Sequence, residues 1–216
     1  MQWRRGMKSA LPLVCLARHG QTAWTISRQH TGITDLPLTA AGEAEAIDLG
    51  ERLAARSFGA VFTSPLRRAV RTCELAGHGS VAMAEPDLIE WNYGAYEGRT
   101  TREIDTERPS WNLLRDGCPG GEMPEAVGAR ADRVIRSVRA IDGDVLLFSS
   151  AHFLRVFAAR WLGLEPRAGK YFVLGTGSLS EMGYEHDRSE PVIRLWDETH
   201  HQCCVTLQHA RERETA

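Results

Sequence analysis

Three stretches of the chain carry side chains suited to an anion. In LARHGQTAW, residues 16–24, Arg18 and His19 stand together at the end of an apolar run, with a glycine directly after them. Burying an arginine beside a histidine is costly unless something anionic sits opposite. The glycine lets the backbone turn sharply or approach a ligand closely. Arg18 offers a planar fork for two oxygens of one phosphate, and His19 could serve as nucleophile, base or metal ligand. In TSPLRRAVRT, residues 63–72, Arg68 falls near a helix start, where free backbone N–H groups also favour an anion. In SSAHFLR, residues 149–155, Ser149, Ser150 and His152 follow another apolar run. Two arginines, an imidazole and a helix end meeting at one place suit a phosphoryl group, whose transfer needs little beyond positioning and charge stabilisation.

These residues have to be delivered by regular elements. LVCLA (13–17), AVFT (60–63) and DVLLFSS (144–150) are short apolar runs and predict buried strands. Thr39 predicts a helix start, with Ala46, Ile47, Gly50, Leu53 and Ala54 as its inward stripe. Pro65 suits the first turn of a helix that buries Leu66, Ala69, Val70, Cys73 and Ala76, with Arg67, Arg68 and Arg71 off the stripe. A longer helix over 122–141 buries Val127, Ala131, Val134, Val138 and Ile141, leaving Arg130, Arg133, Arg136 and Arg139 as a solvated surface. FLRVFAARWLG (153–163) predicts an apolar helix, and YFVL, LSEMGYE and PVIRLW predict closing strands. Alternating helices and fully apolar strands imply an α/β fold with a mostly parallel sheet covered on both faces. Ligands of such sheets bind outside the carboxyl ends of the strands, where all three polar stretches fall.

With 216 residues, 43% hydrophobic and 25% charged, the chain reads as one domain over 1–216, its core over about 12–197 and a polar tail over 198–216. The net charge of −2 provides no field for nucleic acid or an anionic membrane. Five cysteines without disulfide spacing favour a reducing, cytoplasmic setting. Arg4, Arg5 and Lys8 followed by ALPLVCLA have the look of a signal peptide, but cleavage there would remove the strand that carries Arg18. No run reaches the roughly 18 apolar residues of a membrane helix. The THHQCC cluster (199–204) holds zinc- or copper-type ligands without the spacing of a closed site, and it reads as surface. The chain is expected to use neither metal nor other cofactor.

ARHGQTAW, HTGITDLPLTAAGEAEA, TSPLRRAVRT and LIEWNYGAYEG occur in the order found in the histidine phosphatase superfamily, which the chain resembles from about Val14 to His186. The resemblance implies a three-layer α/β/α sandwich of the phosphoglycerate-mutase-like type and metal-free chemistry through a phosphohistidine. By the same resemblance His19 is the nucleophile, Arg18 and Arg68 clamp the phosphate, Glu90 is the proton donor and Glu97 is structural. The stretch 96–122 is similar to the acid-phosphatase and sedoheptulose-1,7-bisphosphatase-like members. The implied activity is therefore hydrolysis of small phosphate monoesters, sugar phosphates among them, with mutase-type phosphoryl transfer as the alternative. His30, Thr31 and Tyr93 are expected beside the substrate. The partner is a small phosphate ester, and a homodimer is left open.

Two departures from the family pattern stand out. The family's second pocket histidine lies five places before an arginine, and counting back from Arg155 reaches Ser150, with Ala151 where the family has glycine. Ser150 and the helix end could bind phosphate while His152 supplies the imidazole; the enzyme could work slowly with one group fewer; or the chain could be a phosphate-binding protein without turnover. Loss of one stabilising group costs about 10²–10³-fold in rate. Thr25 stands where many members have asparagine, and its hydroxyl could still donate to a phosphate oxygen.

Overall fold

The computed structural model describes residues 11–199; Arg4, Arg5 and Lys8 and the His200–Cys204 part of the THHQCC cluster lie outside them. The strands are β1 (Val14–Arg18), β2 (Ala60–Thr63), β3 (Met83–Ala84), β4 (Val145–Ser149), β5 (Leu179–Tyr184) and β6 (Pro191–Glu198). They form one sheet in the order β3-β2-β4-β1-β5-β6. The β3-β2-β4-β1 half is parallel, whereas β5 runs antiparallel to β1 and β6 antiparallel to β5. The helices are α1 (Ala23–Ser27), α2 (Ala40–Leu53), α3 (Arg67–Leu75), α4 (Thr101–Glu107), α5 (Leu113–Asp116), α6 (Pro124–Arg139) and α7 (Ala151–Trp161). Among the described residues no helix is long and apolar enough to cross a membrane.

The two-residue period of β1 separates the layers. Val14 and Leu16 pack with Val127 and Val134 of α6 and with Phe153 and Phe157 of α7. Cys15 and Ala17 turn the other way, joining Leu49 and Leu53 of α2 and Cys73 of α3. The result is the α/β/α sandwich. In the register of the parallel pair, Arg18 stands opposite Ser149, so β1 and β4 end at the same height. The His19 amide then donates to the Ser149 carbonyl at 3.0 Å, and the Ser64 amide after β2 donates to Phe148 at 2.9 Å. Three strand ends thereby open on one edge. A glycine pair sets the height of α2 against this edge. A Cβ on Gly20 would stand 2.2 Å from the Gly42 carbonyl oxygen, and one on Gly42 would stand 2.1 Å from that of Gln21.

Several sequence expectations are corrected. YFVL forms no strand: Pro166–Tyr171 is a run of 3₁₀ turns, and Tyr171 and Val173 are exposed. The two-residue edge strand β3 was not anticipated. Leu49, rather than Ile47 or Ala54, completes the inward face of α2. Helix α3 begins at Arg67, two residues after Pro65, and Arg68 is fully buried among the residues it was expected to stand clear of. Arg130 is the largest departure from the solvated face expected of α6. It is 9% exposed, forks onto Glu122 with two 2.8 Å bonds, and donates to the carbonyls of Asp87 and Ile89 at 2.8 Å each. Its guanidinium also lies 5.1 Å from the Phe153 ring centre. Burial is tolerated because its donors and charge are met. Arg139 likewise covers the Trp161 ring at 4.5 Å, whereas Arg133 and Arg136 are exposed as expected.

Candidate active site

His19 is 3% exposed at the tip of β1, and its Nδ1 lies 2.8 Å from the Gly20 carbonyl oxygen. A carbonyl can only accept, so Nδ1 carries the proton and Nε2 keeps its lone pair. Burial, with the charges of Arg68 and then Arg18 adding to it, pushes the imidazole well below its ordinary 6.5. The ring is neutral and nucleophilic at physiological pH.

The two arginines are held differently. An Arg18 Nη1 hydrogen is donated to the Leu174 carbonyl, while its buried Nε has no hydrogen-bond partner among the described residues. Burial lowers its pKa and the Glu90 charge opposes that. Arg68, in the first turn of α3, donates to the carbonyls of Thr34 at 3.0 Å, Thr31 at 3.1 Å and Gly32 at 2.8 Å. It stands behind His19 and braces the 31–34 loop, with its Nε unpartnered. Glu97 holds the same loop from the other side, accepting from the amides of Gly32 at 2.9 Å and Thr34 at 3.0 Å.

Glu90 is 4% exposed and occupies the N-terminus of α7. One oxygen accepts from the amides of Trp91 at 2.9 Å and Phe153 at 2.8 Å, the other from His152 at 3.0 Å. This outside cap explains why α7 starts two residues earlier than its apolar pattern suggests, with no side-chain bond from Ser150 at its N-cap. The helix end that sequence offered to a phosphate therefore holds the chain's own carboxylate. The loop carrying Glu90 is fixed by Arg130 and by Ser149, whose hydroxyl donates to the Leu88 carbonyl at 2.6 Å.

His152 sits on the exposed side of this cap, its Nδ1 2.7 Å from the Tyr93 hydroxyl and 3.9 Å from a Glu90 oxygen. Burial raises the Tyr93 phenol well above 10, so it keeps its proton. Burial and then the Arg155 charge push His152 well below 6.5. The Tyr93 hydroxyl has no other hydrogen-bond partner among the described residues, so its proton is assigned to the bond with Nδ1, which places the imidazole proton on Nε2. His30 packs against Tyr93 in a tilted arrangement, ring centres 4.8 Å apart and planes at 33°, and burial lowers its pKa to about 4.

A cavity of about 260 Å³ joins Arg18, His19, Glu90, Tyr93 and His152. Thr25, His30 and Thr31 line it as sequence anticipated. The Thr25 hydroxyl, however, donates to the Thr22 carbonyl at 2.8 Å and accepts from the Thr22 amide at 2.9 Å, closing the N-terminal cap of α1. Ser150 is 1% exposed and outside the lining; its buried hydroxyl has no partner among the described residues. Trp24, Arg28, Gln29 and Thr101 line the cavity without having been singled out. Trp24 of α1 and the Arg28–Gln29 segment after it lie between the ARHG and HTG motifs, the one signal that could have marked them, and Thr101 begins α4. Among the described residues no group of three or more His, Cys, Asp or Glu could hold a metal ion.

The family model described as histidine phosphatase superfamily (branch 1) matches residues 14–199. Sedoheptulose 1,7-bisphosphatase of Saccharomyces cerevisiae is 38% identical over 191 residues, covering 73% of this chain and 70% of that protein. An acid phosphatase of Mycobacterium tuberculosis is 38% identical over 175 residues, covering 79% of this chain and 86% of its own length. The solved structure of the open reading frame Rv3214 product of Mycobacterium tuberculosis superimposes with a TM-score of 0.82 at 34% identity, covering 87% of this chain and 98% of that one.

Proposed function

The chain belongs to the histidine phosphatase superfamily, branch 1, and on that basis we propose that it hydrolyses small phosphate monoesters through a phosphohistidine on His19. The neutral His19 ring carries this reading, since its only lone pair is on Nε2, at a cavity that also holds Arg18. In the first step Nε2 attacks phosphorus and the P–O bond to the leaving alkoxide breaks. Glu90, the one carboxyl group that lines the cavity among the described residues, delivers a proton to that alkoxide. In the second step Glu90 takes a proton from water as the water oxygen attacks the phosphohistidine, returning His19 and releasing phosphate. Arg18 Nε and the Arg68 charge offset the charge on the phosphoryl oxygens. The Nε2–H of His152 adds a donor, in place of the one that Ser150 does not supply. The buried, free thiols of Cys15, Cys73 and Cys118, each pushed up to about 12 by burial, suit a reducing cytoplasm.

The test is phosphate release from p-nitrophenyl phosphate and a set of sugar phosphates with EDTA present. Turnover in wild type, none in His19→Ala, and an acid-labile phosphoenzyme carrying one phosphate on His19 are expected. Turnover abolished by EDTA, or retained in His19→Ala, overturns the mechanism. A second reading has its own support in the Ser150 hydroxyl, which is buried outside the cavity lining and leaves His152 alone to supply the donor expected there. Phosphate binding without release above the His19→Ala blank would favour a phospho-ligand-binding protein instead.

A further inference from the structure

The mouth of the cavity contains a cation that the chemistry above does not use. Helix α1 ends at Arg28, whose backbone lies in the left-handed region at φ 61°, ψ 30°. That conformation suits glycine, and a side chain there is strained. Strain of this kind persists where the surroundings or a function retain it. The Arg28 side chain is exposed and lines the cavity together with Arg18 and His19. No salt bridge or side-chain hydrogen bond is made by it among the described residues, although Arg52, Arg56, Arg71, Arg99, Arg115, Arg130, Arg133, Arg160 and Arg167 all pair with carboxylates. The charged groups sharing its cavity are Arg18, which the scissile phosphate takes, and Glu90, which is held by backbone amides at the α7 end. The remaining polar lining is neutral, with His19, His30 and His152 all pushed below the ordinary imidazole value. At about 260 Å³ the cavity also has room for the body of a small ligand beyond its phosphate.

We propose that Arg28 is a specificity-determining residue: it takes a second anionic group, phosphate or carboxylate, at the end of the substrate remote from the scissile phosphate. This rests on the phosphatase reading and narrows it to esters with two anionic ends. A guanidinium at the rim, forked for two oxygens, lowers KM for such substrates more than it changes the chemical step.

The experiment compares kcat/KM for fructose 1,6-bisphosphate, 3-phosphoglycerate and glycerol 3-phosphate in wild type, Arg28→Gly and Arg28→Gln. Wild type is expected to favour one or both of the esters with a second anionic group over glycerol 3-phosphate; whichever is favoured names the second group. Both variants reduce that preference by about 10- to 100-fold, chiefly through KM, as loss of a charged hydrogen bond does. Arg28→Gly also melts above wild type, because glycine relieves the left-handed backbone, so its loss of preference is not a loss of fold. A preference that stays within threefold of wild type in both variants overturns the assignment. If wild type releases phosphate from no ester, the phosphatase reading fails separately. Titration calorimetry of fructose 1,6-bisphosphate and glycerol 3-phosphate then decides: tenfold weaker bisphosphate binding in Arg28→Gly supports Arg28, and equal binding overturns it.

Discussion

Replacing Glu90 separates its two positions in the molecule, at the cavity and at the end of α7. In Glu90→Ala the amides of Trp91, Phe153 and His152 lose their carboxyl acceptor together. A buried donor left unmet costs about 1–3 kcal/mol, and the favourable carboxylate at a helix N-terminus is lost as well. The His152 amide lies beside the cavity, where water can replace the lost oxygen; the Trp91 and Phe153 amides are buried. The expected loss is about 3–5 kcal/mol, a large share of the roughly 5–15 kcal/mol that holds a domain folded. Glu90→Gln keeps one oxygen for the Trp91 and Phe153 amides and turns an amide nitrogen toward His152, so its cost is about 1–2 kcal/mol. Urea unfolding, followed by circular dichroism with unchanged slope, measures both. Glu90→Ala within 1 kcal/mol of wild type, or Glu90→Gln as damaging as Glu90→Ala, would refute the helix-end argument. Catalytic loss is therefore to be read from Glu90→Gln, which removes proton donation while retaining most of the fold.

Acid should weaken the fold through three histidines held neutral. Below 6.5 the unfolded chain binds protons that His19, His30 and His152 refuse, so stability is fully present above 6.5 and falls with pH. For His30 the fall continues to about pH 4, at about 1.4 kcal/mol per pH unit; a melting temperature flat between pH 7 and 5 would contradict this. The same depression keeps the nucleophile unprotonated, so the acid limb of kcat/KM for p-nitrophenyl phosphate should lie below 6.5, and a limb at or above that value counts against His19 as the attacking group. Tyr93→Phe removes the partner of His152 Nδ1 and should lower kcat about tenfold or more with little change in melting temperature; unchanged kcat would show that the pair does not orient the ring. Arg130→Met leaves the half-buried Glu122 without its fork and frees the loop before Glu90, with an expected loss of about 3–5 kcal/mol in urea unfolding; a near-neutral result would make the pair dispensable.

The parts of this fold that were legible in sequence are those whose signals are local. β1, β2 and β4 are uninterrupted apolar runs, and Thr39 caps α2 through its own hydroxyl, 3.1 Å from the Gly42 amide. Arg18, His19 and Glu90 stand at the cavity because strand ends and one loop bring them there, as the motifs implied. What escaped was satisfied from far along the chain. Arg130 looked like a surface charge because its carbonyl partners lie 41 and 43 residues away, and α7 could not be seen to start at Ala151 because its cap comes from 62 and 63 positions earlier. YFVL has the composition of a strand but begins on the last residue of the 3₁₀ run Pro166–Tyr171 and joins neither edge of the sheet, and the place beside β1 is taken by β5. Counting from Arg155 located Ser150 but could not show that its hydroxyl is buried outside the cavity lining.

The contact between Gly20 and Gly42 bears on how this protein can change over time. Neither residue meets the ligand cavity, yet each closes on the other's backbone neighbourhood with no space for a methyl group. A single substitution at either one forces α2 away from the segment that follows His19, and no second substitution restores the distance, because backbone rather than side chain is in the way. Random mutagenesis under selection for turnover should therefore return these two positions as intolerant as His19 itself. Segment exchange between relatives should succeed when 14–22 and 39–45 travel together and fail more often when they are separated. The spacing of His19 from its neighbouring helix is thus inherited as a pair of absences.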